Sequence, residues 1–436
     1  MMRQDVELTT MRLVRWRLLP FLFILYVFNF LDRTNVGVAA LQMNTDLNFS
    51  QAVFGFGAGV FFLAYALFEV PSNLVLARVG ARRWIARIMV TWGIVAGAMM
   101  FVRTPTEFYA MRLLLGVAEA GFFPGIIYYI GTWFPANYRA RAYAAFGIAI
   151  PISQVVGGPL GGLLLKLDGV AHLAGWQWLF LVEGLPSLLL GIAVLWLLTD
   201  RPREARWLSS EQRAWLEQRL ALEQSQTSSP RGSALKALAN PLVWALSIPW
   251  FATYALSLGF ILWAPLLVRS ALGTSNTQTA MITGALSLVA AAAYPLAARW
   301  SDRHDERSGV LAAGLALGCL GCIGSAFFPQ SLLRVAALLL VAMGGALCLP
   351  AFWCMPARFL RGASAAAGIA LINAVGACGG FFGPMIIGAF KRITGSDVGA
   401  FLGLAAIAFV GAWVCMRLRR MELFAPRYET RFGEAT

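Results

Sequence analysis

Charged residues are scarce in this sequence. They make up 13% of its 436 residues, whereas 59% of the residues are apolar. A soluble protein carries about 25% charged residues, so a soluble fold is excluded. A membrane-spanning helix needs about 20 apolar residues, and the apolar content is enough for about twelve such helices.

Metal-binding and redox residues are also few. The chain has two histidines, His172 and His304, which makes haem or zinc chemistry improbable. All six cysteines fall in apolar stretches, which excludes an extracellular disulfide framework. Cys319 and Cys322 form a C-x-x-C pair, but no second pair and no nearby histidine completes a metal ligand set. The sequence also lacks the G-x-x-x-x-G-K-[ST] loop of ATP-driven proteins, and we expect no cofactor.

Long apolar runs predict twelve transmembrane helices. The predicted spans are 18–40, 53–77, 84–102, 108–131, 142–165, 176–198, 241–268, 277–298, 309–328, 335–356, 364–390 and 398–416. One extended polar segment, 199–240, separates six spans from six. Its composition predicts an amphipathic surface helix followed by a flexible linker rich in Ser, Pro and Gly.

The positive charges favour one side of the predicted spans. Of the 35 Lys and Arg residues, 27 fall on the side that holds both termini and the 199–240 segment, and 6 fall on the other. The positive-inside rule therefore places both termini in the cytoplasm. A basic chain can also indicate a nucleic-acid partner, but here the charge is spread over short segments at one membrane face. The sequence thus predicts that the protein lies in a lipid bilayer and has no nucleic-acid partner.

An internal repeat supports a division into halves. Arg78 and Arg303 lie in matching basic loops, and Pro159 and Pro384 lie in matching Gly-Pro clusters. Both pairs are 225 residues apart, which indicates duplication of a six-helix unit. The predicted organisation is an N-terminal six-helix bundle, a cytoplasmic central loop, a C-terminal six-helix bundle and a cytoplasmic tail, at 1–198, 199–240, 241–417 and 418–436.

Ionisable residues at membrane depth are the main chemical signal, because each is costly and is a functional candidate by default. All six clear cases lie in the N-terminal half: Asp32, Arg33, Glu69, Arg112, Glu119 and Glu183. The apolar cores of spans seven to twelve contain no Asp, Glu, Lys or Arg. The first half is therefore predicted to handle charge, and the second half to supply shape and neutral polar groups.

Spacing indicates how these charges are arranged. Arg112 and Glu119 are two helical turns apart, so they share a face at about 10.5 Å, too far for a simple pair. Asp32 and Arg33 are adjacent and point about 100° apart. We expect pairing between spans one and four that leaves two guanidiniums aimed at a shared cavity, where an Arg can bind a carboxylate through two bonds. A buried ion-pair network that only holds helices in register is the alternative. Glu69 and Glu183 are expected near span ends, in structural roles.

Several segments resemble the major facilitator superfamily, and within it the anion:cation symporter family with its tartrate and hydroxyphenylacetate permeases. The segments are NFLDRTNVG (29–37), FEVPSNLVL (68–76), GARRW (80–84), MRLLLGVAEAGFFPG (111–125), WFPANYRARA (133–142), WLFLVEGLP (178–186) and SDRHDER (301–307). The resemblance covers essentially the whole chain. It implies an all-α membrane protein with twelve transmembrane helices in two pseudo-symmetric six-helix bundles.

The resemblance also implies roles for individual residues. It gives proton coupling to Asp32 and Glu119, and substrate binding to Arg33, Tyr65, Arg112, Gln154 and Asn373. Conformational gate loops would contain Arg78, Arg82, Asp302 and Arg303. One departure is Ala77, where the family usually has an acidic residue, and this puts the salt-bridge latch of the first loop in doubt.

The leading hypothesis is a secondary active transporter that takes up a small organic anion with a proton, powered by the proton gradient, as a monomer in a bacterial inner membrane. An anion exchanger or uniporter is the main alternative. A membrane-embedded enzyme would need a catalytic set that the sequence lacks, and a transporter-like nutrient sensor would need a signalling domain. Two Arg residues suit a dicarboxylate, whereas the aromatic content suits an aryl carboxylate, and the sequence leaves both open.

Overall fold

A computed structural model describes residues 2–226, 239–304, 306–353, 355–356 and 362–421. These residues are almost entirely helical and contain no strand. The α-helices are α1 Met2–Asp46, α2 Gln51–Val79, α3 Ala81–Ala98, α4 Pro105–Glu119, α5 Phe122–Trp133, α6 Ala136–Gly147, α7 Ala149–Leu164, α8 Gly175–Leu197, α9 Ser210–Gln226, α10 Pro241–Leu272, α11 Asn276–His304, α12 Ser308–Phe327, α13 Leu332–Phe352, α14 Gly362–Thr394 and α15 Val398–Arg419.

Twelve helical stretches in the described residues are long and apolar enough to cross a membrane. They coincide with the twelve predicted spans, so the predicted all-α membrane fold is confirmed. Span four consists of α4 and α5, and span five consists of α6 and α7. Every other span contains a single α-helix, and α9 lies between spans six and seven.

The chain divides into two compact units, each defined by contacts between its own backbone positions. The first contains Met1–Phe49, Val60–Ser228 and Asn276–Gly284, and the second contains Ser50–Gly59, Ser229–Ser275 and Ala285–Thr436. The first turns of α2 thus belong with the second unit, and the first turns of α11 belong with the first. The predicted domain boundaries at 198 and 241 stay predictions.

Glycines bring the helices of each unit into close contact. In the first unit, a Cβ at Gly93 of α3 would lie 2.5 Å from the backbone nitrogen of Leu188 in α8. In the second, a Cβ at Gly344 of α13 would lie 2.5 Å from the carbonyl oxygen of Gly314 in α12. Side chains at these positions would force the backbones apart, which is why small residues are typical of helix contacts in membranes.

The two repeated Gly-Pro clusters make equivalent contacts, each inside one unit. In the first unit, a Cβ at Gly284 of α11 would lie 2.6 Å from the ring of Pro159 in α7. In the second, a Cβ at Gly55 of α2 would lie 2.8 Å from the carbonyl oxygen of Pro384 in α14. Both prolines lie inside long helices. The repeat seen in the sequence therefore extends to the packing around each proline.

The predicted surface helix of the central segment is confirmed as α9. The Glu223 carboxylate accepts a hydrogen bond from the backbone N–H of Ala136, at the start of α6, and pairs with Arg139 at 3.5 Å. The indoles of Trp207 and Trp133 stack with ring centroids 5.4 Å apart. The central segment is thus attached to spans four and five of the first unit. The predicted linker after α9 lies outside the described residues.

Candidate functional site

Span four is interrupted immediately after one of its charged residues. Helix α4 ends at Glu119, Ala120 leaves the helical conformation, and Gly121 adopts a left-handed conformation with φ of 87° before α5 begins at Phe122. A Cβ at Gly121 would also lie 2.4 Å from the hydroxyl of Ser72, so glycine is needed for two reasons. Discontinuous helices at membrane depth are a feature of transporter binding sites.

Glu119 forms an ion pair with Arg33 of α1. The Arg33 side chain donates from Nε to Oε1 of Glu119 at 2.9 Å, and its Nη2 donates to the same oxygen. Glu119 is fully buried, and its Oε2 has no hydrogen-bond partner among the described residues. The pairing of spans one and four follows the expectation from the sequence. One carboxylate oxygen is thus occupied and the other is left with capacity to accept a proton.

The two predicted guanidiniums share an aromatic neighbour. The Arg112 guanidinium carbon lies 4.9 Å from the ring centroid of Phe61, and that of Arg33 lies 5.4 Å from the same ring. Arg33 also lies 4.9 Å from the ring of Tyr65, which is buried and stacks on Phe61. Cations are attracted to the faces of aromatic rings, so Phe61 stabilises both charges and Tyr65 stabilises that of Arg33. Arg33, Arg112, Glu119 and Tyr65 are therefore brought together in the first unit.

Close packing of α2 against α4 explains this placement. A Cβ at Gly116 would lie 2.3 Å from the carbonyl oxygen of Phe61, so only glycine permits the observed approach of the two helices. Gly116 lies between Arg112 and Glu119 on the chain. The helix that carries both charges is thereby held against the helix that carries Phe61 and Tyr65.

Asp32 belongs to a different set of neighbours from Arg33. Its Oδ2 accepts hydrogen bonds from Nε1 of Trp92 at 2.7 Å and from the hydroxyl of Ser187 at 2.5 Å. The carboxyl therefore contacts α3 and α8, whereas the adjacent Arg33 contacts α4. As the sequence suggested, neighbours on one helix do not satisfy each other. The proton-coupling role of Asp32 stays a prediction.

Glu183 is placed differently from the expectation. It is 2% exposed and lies inside α8, so its predicted position near a span end is wrong. The expectation placed Glu183 just before Pro186 at a span end, but both residues lie inside the continuous helix α8. Glu69 is half-buried in the second half of α2.

The remaining predicted contacts with the substrate are spread over both units. Gln154 is half-buried in α7 of the first unit, and Asn373 is half-buried in α14 of the second. Their substrate-binding roles stay predictions.

The predicted gate loop of the first half has an acidic partner from elsewhere in the chain. Arg78 is exposed at the end of α2, and the backbone N–H of Arg82 donates to the carboxylate of Asp200 at 2.8 Å. Asp200 follows span six, and a Cβ at Gly80, whose φ is 99°, would lie 3.0 Å from its carboxylate oxygens. The carboxylate of Asp200 thus accepts a hydrogen bond from this loop, although Ala77 stands where the family usually has an acidic residue.

The corresponding loop of the second half contains an ion pair that the sequence does not predict. Buried Glu306 accepts a hydrogen bond from the backbone N–H of Gly309 at 2.8 Å and pairs with Arg419 at 2.9 Å. Arg303 is exposed in the last turn of α11, and the side chain of Asp302 lies outside the described residues. Sequence spacing gives no signal for the Glu306–Arg419 pair, because its members are 113 residues apart.

Comparison with known proteins settles the family. The family model described as Major Facilitator Superfamily matches residues 22–275 and 251–430. The chain belongs to the Major Facilitator Superfamily. It is therefore an integral, multi-pass membrane protein of a transporter family, not an enzyme.

Relatives cover nearly the full chain. A putative tartrate transporter of Agrobacterium vitis is 46% identical over 96% of this chain and 96% of its own length. A quinolone resistance transporter of Acinetobacter baumannii is 40% identical over 93% of this chain and 94% of its own. Among solved structures, a bacterial homologue of the human lysosomal transporter Spinster matches 94% of this chain and 97% of its own, with a TM-score of 0.75 and 18% identity, which shows the fold alone.

Proposed function

We propose that the protein is a proton-coupled symporter that takes up a small organic anion, a carboxylate, by alternating access. The observation that carries the proposal is the pair that Arg33 forms with the buried Glu119 beside Arg112. A substrate carboxylate needs the same guanidinium that Glu119 occupies. Protonation of Glu119 removes its charge and releases Arg33 for the anion, so proton and anion binding favour each other.

The substrate class is supported by chemistry and by similarity. A planar guanidinium matches a carboxylate through two parallel hydrogen bonds, and two of them suit a dicarboxylate. The relative from Agrobacterium vitis is named for tartrate, which carries two carboxylates. The rings of Phe61 and Tyr65 and the relative named for quinolone resistance support an aromatic acid as the second candidate.

We propose the membrane and the orientation of the protein from the distribution of its positive charges. The excess of Lys and Arg on one side supports cytoplasmic termini in a bacterial inner membrane. The proton gradient would supply the energy, with no cofactor, and we propose a monomer as the working unit.

The Glu119→Gln variant tests the coupling step. Gln imitates the protonated acid in shape and charge but cannot release a proton. We expect the variant to bind labelled tartrate and to exchange it across vesicle membranes, but to accumulate much less of it than the wild type under an imposed pH gradient. Asp32→Asn is the comparison, because either carboxylate could carry the proton. Wild-type accumulation by Glu119→Gln would remove Glu119 from the coupling role and favour Asp32 or an exchange mechanism.

A further inference from the structure

A second pair of buried carboxyls lies on the α8 side of α1, away from the Arg33–Glu119 contact. Glu183 and Ser187 are one turn apart on α8, and Ser187 donates to Asp32. Asn35, one turn after Asp32 on α1, lies beside the Glu183 carboxyl, and the two carboxyls are close enough to interact electrostatically. Asp32 is 1% exposed and Glu183 is 2% exposed.

Neither carboxyl of this pair forms a salt bridge with another described residue. Within the described parts of the chain, no Lys, Arg or His nitrogen lies within 4.0 Å of either carboxyl. Oδ1 of Asp32 and Oε2 of Glu183 also have no hydrogen-bond partner in that part of the chain. Two adjacent, buried carboxylates cannot both remain ionised without compensation, because burial and mutual repulsion both disfavour the second charge.

The hydrogen bonds indicate which carboxyl keeps its charge. Trp92 can only donate through its indole N–H, and Ser187 also donates to the same Oδ2 of Asp32. Two donated hydrogen bonds favour an ionised acceptor. No described group makes such a bond to Oε2 of Glu183, although the amide of Asn35 is adjacent.

We propose that Glu183 holds a proton beside an ionised Asp32, and that this pair is a second proton-binding site separate from the anion-binding arginines. Its part in transport rests on the proposed proton coupling, whereas its protonation does not. The titratable group facing Glu183 is Asp32 from α1, and Asp32 is faced by Trp92 from α3 and Ser187 from α8 and lies within electrostatic reach of Glu119 in α4.

Infrared difference spectroscopy of the purified full-length protein tests the protonation directly. Protonated carboxylic acids give a carbonyl band that ionised carboxylates lack. We expect Glu183→Gln to lose one such band at neutral pH and Asp32→Asn to retain it. Glu204→Gln, at an exposed residue beside Arg203, is the matched control and should lose none. Loss of the band only in Asp32→Asn, or in neither variant, would overturn the assignment, as would a band that disappears when sodium replaces potassium.

Folding of the variant provides a second readout. Gln has the shape and charge of a protonated Glu, so Glu183→Gln should match the wild type in thermal stability. An ionised Glu183 bound to a cation would instead make this variant markedly less stable, and a variant that fails to fold would contradict the proposal.

Proton counting separates this inference from the proposed function. We expect the number of protons moved per labelled tartrate to fall by one in Glu183→Gln vesicles, while exchange of tartrate remains. An unchanged number would remove Glu183 from transport. If the wild type itself moved tartrate without protons, the proposed symport would fail even though the infrared result could still stand.

Discussion

At the scale of single residues, the direction in which a side chain points decides its partners more than its position along the chain does. Asp32 and Arg33 are sequence neighbours, yet one contacts α3 and α8 and the other contacts α4. The sequence could identify the buried charges because each is conspicuous in an apolar stretch. It predicted pairing between spans one and four but not the partners of Asp32, because the rotation of each helix about its axis is set by packing across the whole unit. Ser187 and Trp92 were missed for this reason, since each is an ordinary residue in its own helix.

The role of Arg112 can be tested by replacing it with lysine. Arg112→Lys keeps the positive charge but loses the planar fork that binds a carboxylate through two bonds. We expect affinity for tartrate to fall at least about tenfold, nearly as far as in Arg112→Ala. Equilibrium binding of labelled tartrate to purified variants would measure this.

A structural role would give a different result. If Arg112 only supplied charge beside Phe61, the lysine variant would keep near-normal affinity. Comparable thermal stability of the two variants and the wild type would show that the measured loss belongs to the binding site.

At the scale of elements, hydropathy predicted the spans but not their interruptions. The segment around Ala120 and Gly121 is apolar, so the hydropathy pattern runs through it without a change. Helix continuity depends on backbone dihedral angles, and Gly121 alone adopts φ of 87° there. Helix α1 extends over Met2–Asp46, beyond the predicted span 18–40. Hydropathy did not predict this extension, because the first turns of α1 are helical but polar.

The interruption of span four makes Gly121 sensitive to substitution. In Gly121→Ala, the left-handed backbone costs about 1–2 kcal/mol, and the new methyl group must displace Ser72. We expect a lower temperature of thermal unfolding and weaker tartrate binding, because the end of α4 at Glu119 would shift. Both can be measured on detergent-purified protein.

Gly97 in α3 is the matched control. A Cβ there meets no atom within 4 Å, and its helical backbone suits alanine. Gly97→Ala should equal or exceed the wild type in stability. A Gly121→Ala variant as stable as Gly97→Ala would show that the observed break is not required.

At the scale of the whole molecule, the charge pattern predicts the orientation in the membrane. Glu217 is exposed on α9, and Lys166 is exposed at the end of span five. An impermeant thiol reagent applied to intact cells should label Lys166→Cys but not Glu217→Cys. In inverted vesicles the same reagent should label Glu217→Cys but not Lys166→Cys, and in permeabilised cells it should label both.

The reverse pattern would place the termini outside and contradict the orientation. The native cysteines need a separate control in the unsubstituted protein. Those described are buried or half-buried, so its background labelling should be low.

The break between α4 and α5 has a mechanical consequence. A continuous helix moves as a rod, so a displacement at one end reappears at the other. Here Arg112 and Glu119 both lie on the short helix α4. Helix α5 packs separately against α2, where a Cβ at Gly125 would lie 2.6 Å from Leu76. A small tilt of α4 would therefore move both charged groups together. Changes in the backbone angles at Ala120 and Gly121 would keep this tilt from moving α5.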